Sequence, residues 1–392
     1  MKNNCVALIL TILCLPAVAY GDSKAGFMTS DANLSVGTVS ITVWYPTSSQ
    51  VKGPSEYVVP EYELFDFPVG APVELRLPAG AVRDAPVKGG QFPLILSNPG
   101  GDAGNYIRLQ NYPNNELLAA QGYIVVEAAR FVLDLSLDTE LLRGLIDHML
   151  GEHALRDSID RTKIGARGTS FGGYAVAALA GWVVDQPPDE RVRGSILDES
   201  FPCDPESGFD CAAVTVPVMM RDGSQLPDFG DMAPEFAALE NAVPRFLVTL
   251  DNPAHLEYAT GHCGLVEAMR VASIAYQEDI GVDEVIDPRN LFYADLAFQI
   301  GDTAGFSASV FWNFNFFAPN LGSVGDFCRT DGAPEPVPST PGVMDNQTMI
   351  DTKHTLNLAF WKTVFGEGQS SSRVEKAVGE LDSVIHFSQV TE

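Results

Sequence analysis

The chain has 392 residues, of which 46% are hydrophobic and 19% are charged, and this balance excludes an intrinsically disordered protein. Lys and Arg number 24 and Asp and Glu number 51, so the formal net charge is −27. A surface with this charge repels nucleic acids and anionic membranes, which excludes both as expected partners.

The N-terminal segment has the pattern of a secretory signal peptide, which we predict over residues 1–20. Lys2 supplies the positive charge, residues 6–16 are almost entirely apolar, and Ala17-Val18-Ala19 fits a small-x-small cleavage site. The apolar run is too short to span a bilayer, so no stable membrane anchor is expected. Lipid attachment at Cys14 is the weaker alternative, because the residues before it are not small. We therefore expect a secreted or periplasmic protein.

Removal of this peptide leaves four cysteines, an even number in an oxidising compartment, which favours disulfides over buried free thiols. Cys203 and Cys211 flank a short polar loop, so we expect them to pair locally, which leaves Cys263 to pair with Cys328. No Cys and His residues stand at zinc-binding spacing, and no metal is expected.

Downstream of residue 20, short apolar strands alternate with helical segments. We predict strands at 40–46, 92–97, 122–127, 194–197, 214–220 and 245–250, and helices at 114–121, 137–150, 174–184 and 355–365. The alternation is typical of an α/β protein with a mostly parallel sheet and helices on both faces. We expect residues 21–392 to form one domain, with a helical or irregular, lid-like insertion at 265–350.

A G-x-S-x-G pattern is centred on Ser170, in Gly168-Thr169-Ser170-Phe171-Gly172. An apolar strand pattern precedes it and an Ala-rich helical pattern follows it, which is the context in which such a serine becomes a nucleophile. An incidental serine in a Gly-rich turn is the alternative. Because the context is present, we predict that Ser170 is a catalytic nucleophile.

A serine nucleophile needs a base and an acid that orients the base, and in folds with this turn they follow the serine in the order acid, then histidine. His255 lies in a loop just after the strand predicted at 245–250, and His262 is the alternative base. Asp198 and Asp222 each end a predicted strand, and position alone does not separate them as the acid.

An oxyanion hole needs two backbone N–H groups directed at the developing negative charge. Phe171, the residue after the nucleophile, is expected to supply one. The loop Asn98-Pro99-Gly100-Gly101 is expected to supply the other, and Gly100 is the candidate because Pro99 has no N–H group.

Three motifs together resemble secreted α/β-hydrolases of the platelet-activating-factor acetylhydrolase-like and dienelactone hydrolase-like group; they are Val43-Trp44-Tyr45-Pro46, the Ser170 turn, and Leu197-Asp198. The resemblance implies an α/β-hydrolase fold with an insertion before the last helix. It also implies Asp198 as the acid, with Asp222 as the alternative, and His255 as the base. The chain departs from the group at Asn98-Pro99, where these enzymes have His-Gly, and Ser170 replaces the cysteine of dienelactone hydrolases proper.

The prediction is a secreted serine carboxylic ester hydrolase that acts through an acyl-enzyme on a small-molecule ester, with short-chain or acetyl esters as the expected substrates. No cofactor is expected, and the oligomeric state is not predicted. One alternative is a lipase or polyester hydrolase in which the aromatic run at 311–317 belongs to a lid. Another is a catalytically silent hydrolase scaffold used for binding.

Overall fold

The structure, a computed structural model, describes residues 25–48, 56–63, 72–99, 109, 111–128, 134–184, 186–200, 203, 208–223, 232–251, 344, 346–366 and 371–391. The strands in these segments are β1 (Ala25–Leu34), β2 (Gly37–Pro46), β3 (Glu56–Glu63), β4 (Pro72–Pro78), β5 (Val82–Arg83), β6 (Phe92–Asn98), β7 (Ile124–Ala128), β8 (Ile159–Thr169), β9 (Val192–Asp198), β10 (Val218–Gly223), β11 (Arg245–Leu250) and β12 (Val384–Val390). The α-helices are α1 (Tyr112–Ala120), α2 (Leu135–Gly151), α3 (Phe171–Leu179), α4 (Ala233–Ala238), α5 (Asn346–Phe365) and α6 (Ser372–Val378).

A ten-stranded sheet with the order β12-β11-β10-β9-β8-β6-β7-β2-β1-β5 organises the described chain, and β3 and β4 form a separate hairpin. The strands from β7 to β11 in this order run parallel to one another. On one side β2 and β1 are antiparallel additions, and on the other side β12 is antiparallel to β11. The prediction of a mostly parallel sheet is therefore confirmed.

Helices cover both faces of this sheet. On the face that we call the α2/α3 face, Leu141, Leu145 and Ile146 of α2 pack with Val176 of α3 in one buried cluster. This stripe follows from the helical spacing of apolar residues in α2, which begins at an N-cap aspartate, Asp134, that accepts bonds from two backbone N–H groups.

The opposite face, which we call the α5 face, carries the C-terminal helix. Leu356, Phe360 and Trp361 of α5 are fully buried against the sheet. Gly165 of β8 lies directly beneath the Trp361 ring, and a Cβ atom there would overlap the ring. A glycine in the middle of this strand is therefore what lets the largest aromatic side chain of α5 reach the sheet.

The boundaries of three predicted elements are wrong, and one of these is the last predicted helix, which begins at Asn346 rather than at residue 355. The helix after Ser170 ends at Leu179 rather than at residue 184, because Gly181 turns the chain with a φ of 95°. The strand expected at 214–220 begins at Val218, because residues 211–213 form a short 3₁₀ turn and Pro217 cannot donate to the sheet.

Two strands at the margins of the sheet were not expected. β1 is a polar, mixed sequence that pairs along its whole length with β2. β12 pairs with β11, so the strand at 245–250 is not the last one, and His386 of β12 lies beside Thr249. Both strands pair with an antiparallel neighbour. This pairing, rather than the apolar content of β1 or β12 itself, determines their extended conformation.

The predicted local disulfide is present: Cys203 and Cys211 are bonded, with their Cα atoms 5.4 Å apart. Cys263 and Cys328 lie outside the described residues, as do residues 1–20 and positions 265–343 of the expected insertion. Among the described helices, none is both long enough and apolar enough to cross a membrane.

Candidate active site

Ser170 lies at a sharp turn between the end of β8 and the start of α3. Its backbone has φ 52° and ψ −128°, a region that residues with a side chain rarely occupy. Such a conformation costs about 1–3 kcal/mol and persists only where the surrounding structure enforces it. Ser170 is only partly buried. This is the strained serine turn that the sequence pattern predicts.

The glycines around Ser170 have no space for a side chain. A Cβ atom on Gly168 would overlap the carbonyl oxygen of Gly172, and one on Gly173 would overlap Oγ of Ser200. The close approach of these backbone segments is what allows β8 to pass into α3 within one residue. The spacing of the motif is therefore a steric requirement of the turn.

Hydrogen bonds from the neighbouring strand hold the turn in place. The Ser170 N–H donates to the carbonyl oxygen of Asp198, at 2.8 Å. The Ser200 hydroxyl is 2.6 Å from the Ser170 carbonyl oxygen, to which it donates, and 3.0 Å from the Asp198 carbonyl oxygen. Glu199, which lies between Asp198 and Ser200 in the sequence, also has a positive φ, of 47°. The end of β9 thus supports the backbone of the nucleophile directly.

The Asp198 side chain is held between two buried cations. Arg221 Nε lies 2.6 Å from Asp198 Oδ1, and Lys353 Nζ lies 2.7 Å from Asp198 Oδ2. Burial alone would raise the pKa of Asp198, but the charges of Arg221 and Lys353 outweigh burial and hold the pKa below its usual value. No histidine is among the partners of Asp198 in the described part of the chain.

A further set of buried polar side chains continues from this ion pair across the α5 face. Arg167 donates to Oγ of Ser97 and to Oδ1 of Asn115, and Ser97 donates to Glu127 at 2.8 Å. Burial raises the pKa of Glu127 to about 7, although the neighbouring donors and Arg167 oppose this shift. We call Glu127, Ser97, Arg167, Asp198 and Arg221 the polar layer, since they come from five adjacent strands on one face.

Asp222 follows Arg221 in β10 and lies opposite Thr249 of β11 in the strand register. Because side chains alternate along a strand, Asp222 is on the α2/α3 face while Arg221 is on the α5 face. Asp222 is partly buried and lies nearer to the carboxyl end of β10 than Arg221. The structure thus brings Ser170, Asp198 and Asp222 to the same edge of the sheet.

Not all predicted site residues can be placed. His255, His262 and Gly100 lie outside the described residues. Leu250, which ends β11 at the same sheet edge as Asp222, is the point from which the segment with His255 departs. Phe171 is the first residue of α3 and directly follows Ser170. This position is the one expected of an oxyanion donor.

The other described histidines that follow Ser170 belong to other elements. His354 lies within α5, and burial lowers its pKa to about 4. His386 is exposed on β12, with Nε2 2.9 Å from the Ser388 hydroxyl oxygen. The helix predicted at 355–365 would begin just after His354, whereas α5 begins at Asn346 and includes this histidine.

Two site contacts were not predicted from the sequence. Lys353 lies in a helix that begins more than a hundred residues after Asp198, and no local sequence pattern indicates that the two side chains form an ion pair. Asn98 donates from Nδ2 to the carbonyl oxygen of Gly172, at 3.1 Å, and to Asp138 Oδ2, at 3.0 Å. The only sign of the Asn98 contact in the sequence was that Asn98-Pro99 stands where the group that the chain resembles has His-Gly. Within the described residues, no group of three or more His, Cys, Asp or Glu side chains is arranged to hold a metal ion.

Comparison with solved structures shows the fold. A ferulic acid esterase from Streptomyces cinnamoneus superimposes with a TM-score of 0.52 at 15% sequence identity, over 96% of this chain and 98% of that chain. No family model and no curated protein sequence matches the chain. The chain therefore has the α/β-hydrolase fold of an esterase, and the more specific resemblance to acetylhydrolases and dienelactone hydrolases stays a prediction.

Proposed function

We propose that the protein is a secreted serine carboxylic ester hydrolase. The observation that carries the proposal is the backbone of Ser170, which is held at φ 52° between β8 and α3 in an esterase-type fold. A strained serine at the carboxyl edge of a parallel sheet is suited to nucleophilic attack, and the surrounding glycines and Ser200 hold its backbone in that conformation.

In the proposed reaction, Ser170 Oγ attacks the ester carbonyl carbon while His255 accepts the hydroxyl proton. The tetrahedral intermediate collapses as His255 returns that proton to the leaving alcohol, and an acyl-enzyme remains. Water, deprotonated by His255, then releases the acid and regenerates Ser170. The N–H groups of Phe171 and Gly100 stabilise the oxyanion in both halves of the reaction.

Asp222 is the acid that we favour, although the resemblance implied Asp198. Both oxygens of the Asp198 carboxylate already form ion pairs, one with Arg221 and one with Lys353. A carboxylate whose charge is balanced in this way contributes less to stabilising a histidine cation. Asp222, at the end of the next strand, is in the position that many α/β-hydrolases use.

The proposed substrates are short-chain or acetyl esters, and the similarity to a ferulic acid esterase adds aromatic acyl esters to the candidates. The proposal of secretion is supported by the signal-peptide pattern and by the Cys203–Cys211 disulfide. N-terminal sequencing of the exported protein tests the predicted cleavage near residue 20.

The experiment that tests the function is hydrolysis of nitrophenyl esters of increasing acyl length and of methyl ferulate. Wild type should be active, and Ser170→Ala and His255→Ala should each lower kcat by about 10⁴-fold or more. Ser372→Ala, at an exposed serine of α6, is the matched control and should retain full activity. Full activity in Ser170→Ala would contradict the mechanism.

A further inference from the structure

Two arginines of the polar layer, Arg167 and Arg221, have buried N–H groups that the described residues do not satisfy. Arg221 is fully buried, and its Nε donates to Asp198 Oδ1, 2.6 Å away. Its Nη1 and Nη2 atoms have no hydrogen-bond partner in the part of the chain that the structure describes. The same holds for Nε and Nη1 of Arg167, which is 3% exposed. An unpaired buried donor is destabilising, and more so on a charged group, so these four nitrogen atoms require an acceptor.

The two arginines extend over the same strand, β9, from its two neighbours. Arg167 of β8 lies beside Ile196 of β9, and Arg221 of β10 lies beside Asp198, two residues further along β9. Because residues two apart on a strand share a face, all of these side chains are on the α5 face. Burial lowers the pKa of Arg167 to about 10, and repulsion from Arg221 adds to this shift. The two guanidinium groups are therefore close to each other above β9.

Helix α5 covers this position. Lys353 contacts Asp198 at 2.7 Å, and Trp361, about two turns later in the helix, lies over Gly165 of β8. Asn357 is midway between these two residues, and side chains four apart lie on one face of a helix. Asn357 is fully buried, and within the described segments neither Nδ2 nor Oδ1 of its amide has a partner. Its amide therefore faces the sheet between β8 and β9 and supplies a further unpaired donor.

The charges of these groups do not balance. Asp198 is ionised, because the charges of its cationic neighbours outweigh burial and hold its pKa below the usual value. Burial lowers the pKa of Lys353 to about 7 and raises the pKa of Glu127 to about 7, so at neutral pH their partial charges offset each other. Both arginines remain protonated, which leaves one positive charge uncompensated in the polar layer. A water molecule accepts hydrogen bonds but does not supply a negative charge.

We propose that the space between Arg167, Arg221 and Asn357 binds a small monovalent anion, with chloride as the ligand. The ion accepts hydrogen bonds from the guanidinium groups and from the Asn357 amide, and it compensates the remaining positive charge. Because all three side chains are almost completely buried, the site suits a single spherical ion rather than an organic carboxylate or a phosphate. The inference does not depend on the proposed ester hydrolysis, since the ion stabilises the fold and takes no part in that reaction.

Thermal unfolding of wild type tests whether the ion binds. Chloride replaces gluconate at constant pH and constant ionic strength, so that the screening of surface charges does not change. Tm should rise by about 2 °C or more between 1 and 100 mM chloride, because an ion that binds only the folded state stabilises it by mass action. Bromide should act in the same way. Equal Tm values in chloride and gluconate would overturn the inference.

The same titration separates this site from an anion bound in the active site. Wild type whose active site has been labelled with a fluorophosphonate, and Ser170→Ala, should both show the full rise in Tm. Loss of the rise in Ser170→Ala would assign the ion to the active site and contradict the proposal. The esterase activity of wild type has no bearing on this result, so failure of the proposed function and failure of this inference are distinguishable.

Anomalous scattering locates the ion directly. Crystals grown in gluconate and soaked in sodium bromide should show a bromide peak within about 3.5 Å of nitrogen atoms of both Arg167 and Arg221. Peaks confined to the protein surface would overturn the inference. So would a water molecule or a carboxylate of the chain itself at the position between the two guanidinium groups.

Asn357→Asp lets the chain supply the negative charge itself. The carboxylate has nearly the shape of the amide, and it compensates the arginines in place of the ion, so most of the rise in Tm with chloride should disappear. The matched control is Asn241→Asp, at an exposed asparagine that donates to the carbonyl oxygen of Ala212, and it should keep the full rise. An unchanged chloride dependence in Asn357→Asp would contradict the proposal. If this variant does not fold, the bromide peak in wild type decides.

Discussion

The Nζ atom of Lys353 lies 2.7 Å from Oδ2 of Asp198, and both side chains are almost completely buried. This ion pair joins the C-terminal helix α5 to the strand end that supports the backbone of Ser170. Because the charges are desolvated, removal of one partner leaves the other incompletely compensated, which is more damaging than the loss of a surface pair.

We predict that Lys353→Met lowers the free energy of unfolding by about 3 kcal/mol, towards the lower end of the range for broken buried pairs because Arg221 still compensates Asp198. Urea denaturation checks the value. Lys376→Met, which removes an exposed pair with Glu380, is the control and should change stability by less than about 1 kcal/mol. Equal effects of the two substitutions would contradict the assigned role of Lys353.

The two candidate acids should respond differently to loss of charge. Asp222→Asn should lower kcat by about 10³- to 10⁴-fold, because a triad without its carboxylate loses the orientation and charge stabilisation of the histidine. Asp198→Asn should mainly lower stability, since it leaves Arg221 and Lys353 without their counter-charge. Activity per labelled active site, measured beside urea denaturation, separates the two effects. The reverse pattern would restore Asp198 as the acid.

Gly173 tests the steric requirement of the serine turn. Gly173→Ala should lower the free energy of unfolding by about 2 kcal/mol or more, because the new methyl group overlaps Oγ of Ser200. Adding Ser200→Gly should restore part of that loss, since it makes the space available. Gly151→Ala, at the end of α2 where the added methyl group meets nothing within 4 Å, is the control and should be neutral. If the double variant is no more stable than Gly173→Ala, this explanation fails.

Glu127 gives a dependence of stability on pH. Its folded pKa is raised to about 7 from 4.5, so between these values the folded state binds the proton and the unfolded state does not. Stability from this group is therefore present below about pH 4.5 and is lost as pH rises to about 7. Replacement by glutamine removes this titration. The free energy of unfolding of Glu127→Gln, taken relative to that of wild type, should therefore rise by roughly 2–3 kcal/mol as the pH increases from 4.5 to 8.

Urea denaturation at the two pH values measures this difference. Glu375→Gln, at an exposed glutamate of α6, controls for the substitution itself. A stability difference between Glu127→Gln and wild type that is the same at both pH values would show that folding does not raise the pKa of Glu127.

The parts of the fold that were predicted correctly are those with local signals. The G-x-S-x-G pattern identified the turn at Ser170. Its glycines are required by close contacts, either with residues within six positions of Ser170 or with the adjoining strand, so the requirement is visible in the local sequence. The central strands were recognised because continuous apolar runs reflect burial on both faces. β12 was missed because an edge strand exposed to solvent has a mixed composition, and only its pairing with β11 defines it.

The polar layer could not be predicted, for a physical reason. A buried charge is stable only with a partner, and the partners here come from segments far apart in the sequence, as with Asp198 and Lys353. The resemblance implied Asp198 as the acid where position alone left Asp198 and Asp222 open, and the ion pairs of Asp198 are the reason that we propose Asp222 instead. The contacts of Asn98 were equally hidden, because they depend on the distance between β6 and the first turns of α2 and α3.

The central claim is that Ser170 is an activated nucleophile. The most direct measurement is intact-protein mass spectrometry of folded wild type treated with a fluorophosphonate, followed by peptide mapping. The predicted result is a single adduct per chain, located on Ser170, with a parallel loss of esterase activity and no adduct in Ser170→Ala. Absence of an adduct from the folded protein, or an adduct on another residue while Ser170 stays unmodified and activity is lost, would contradict the claim.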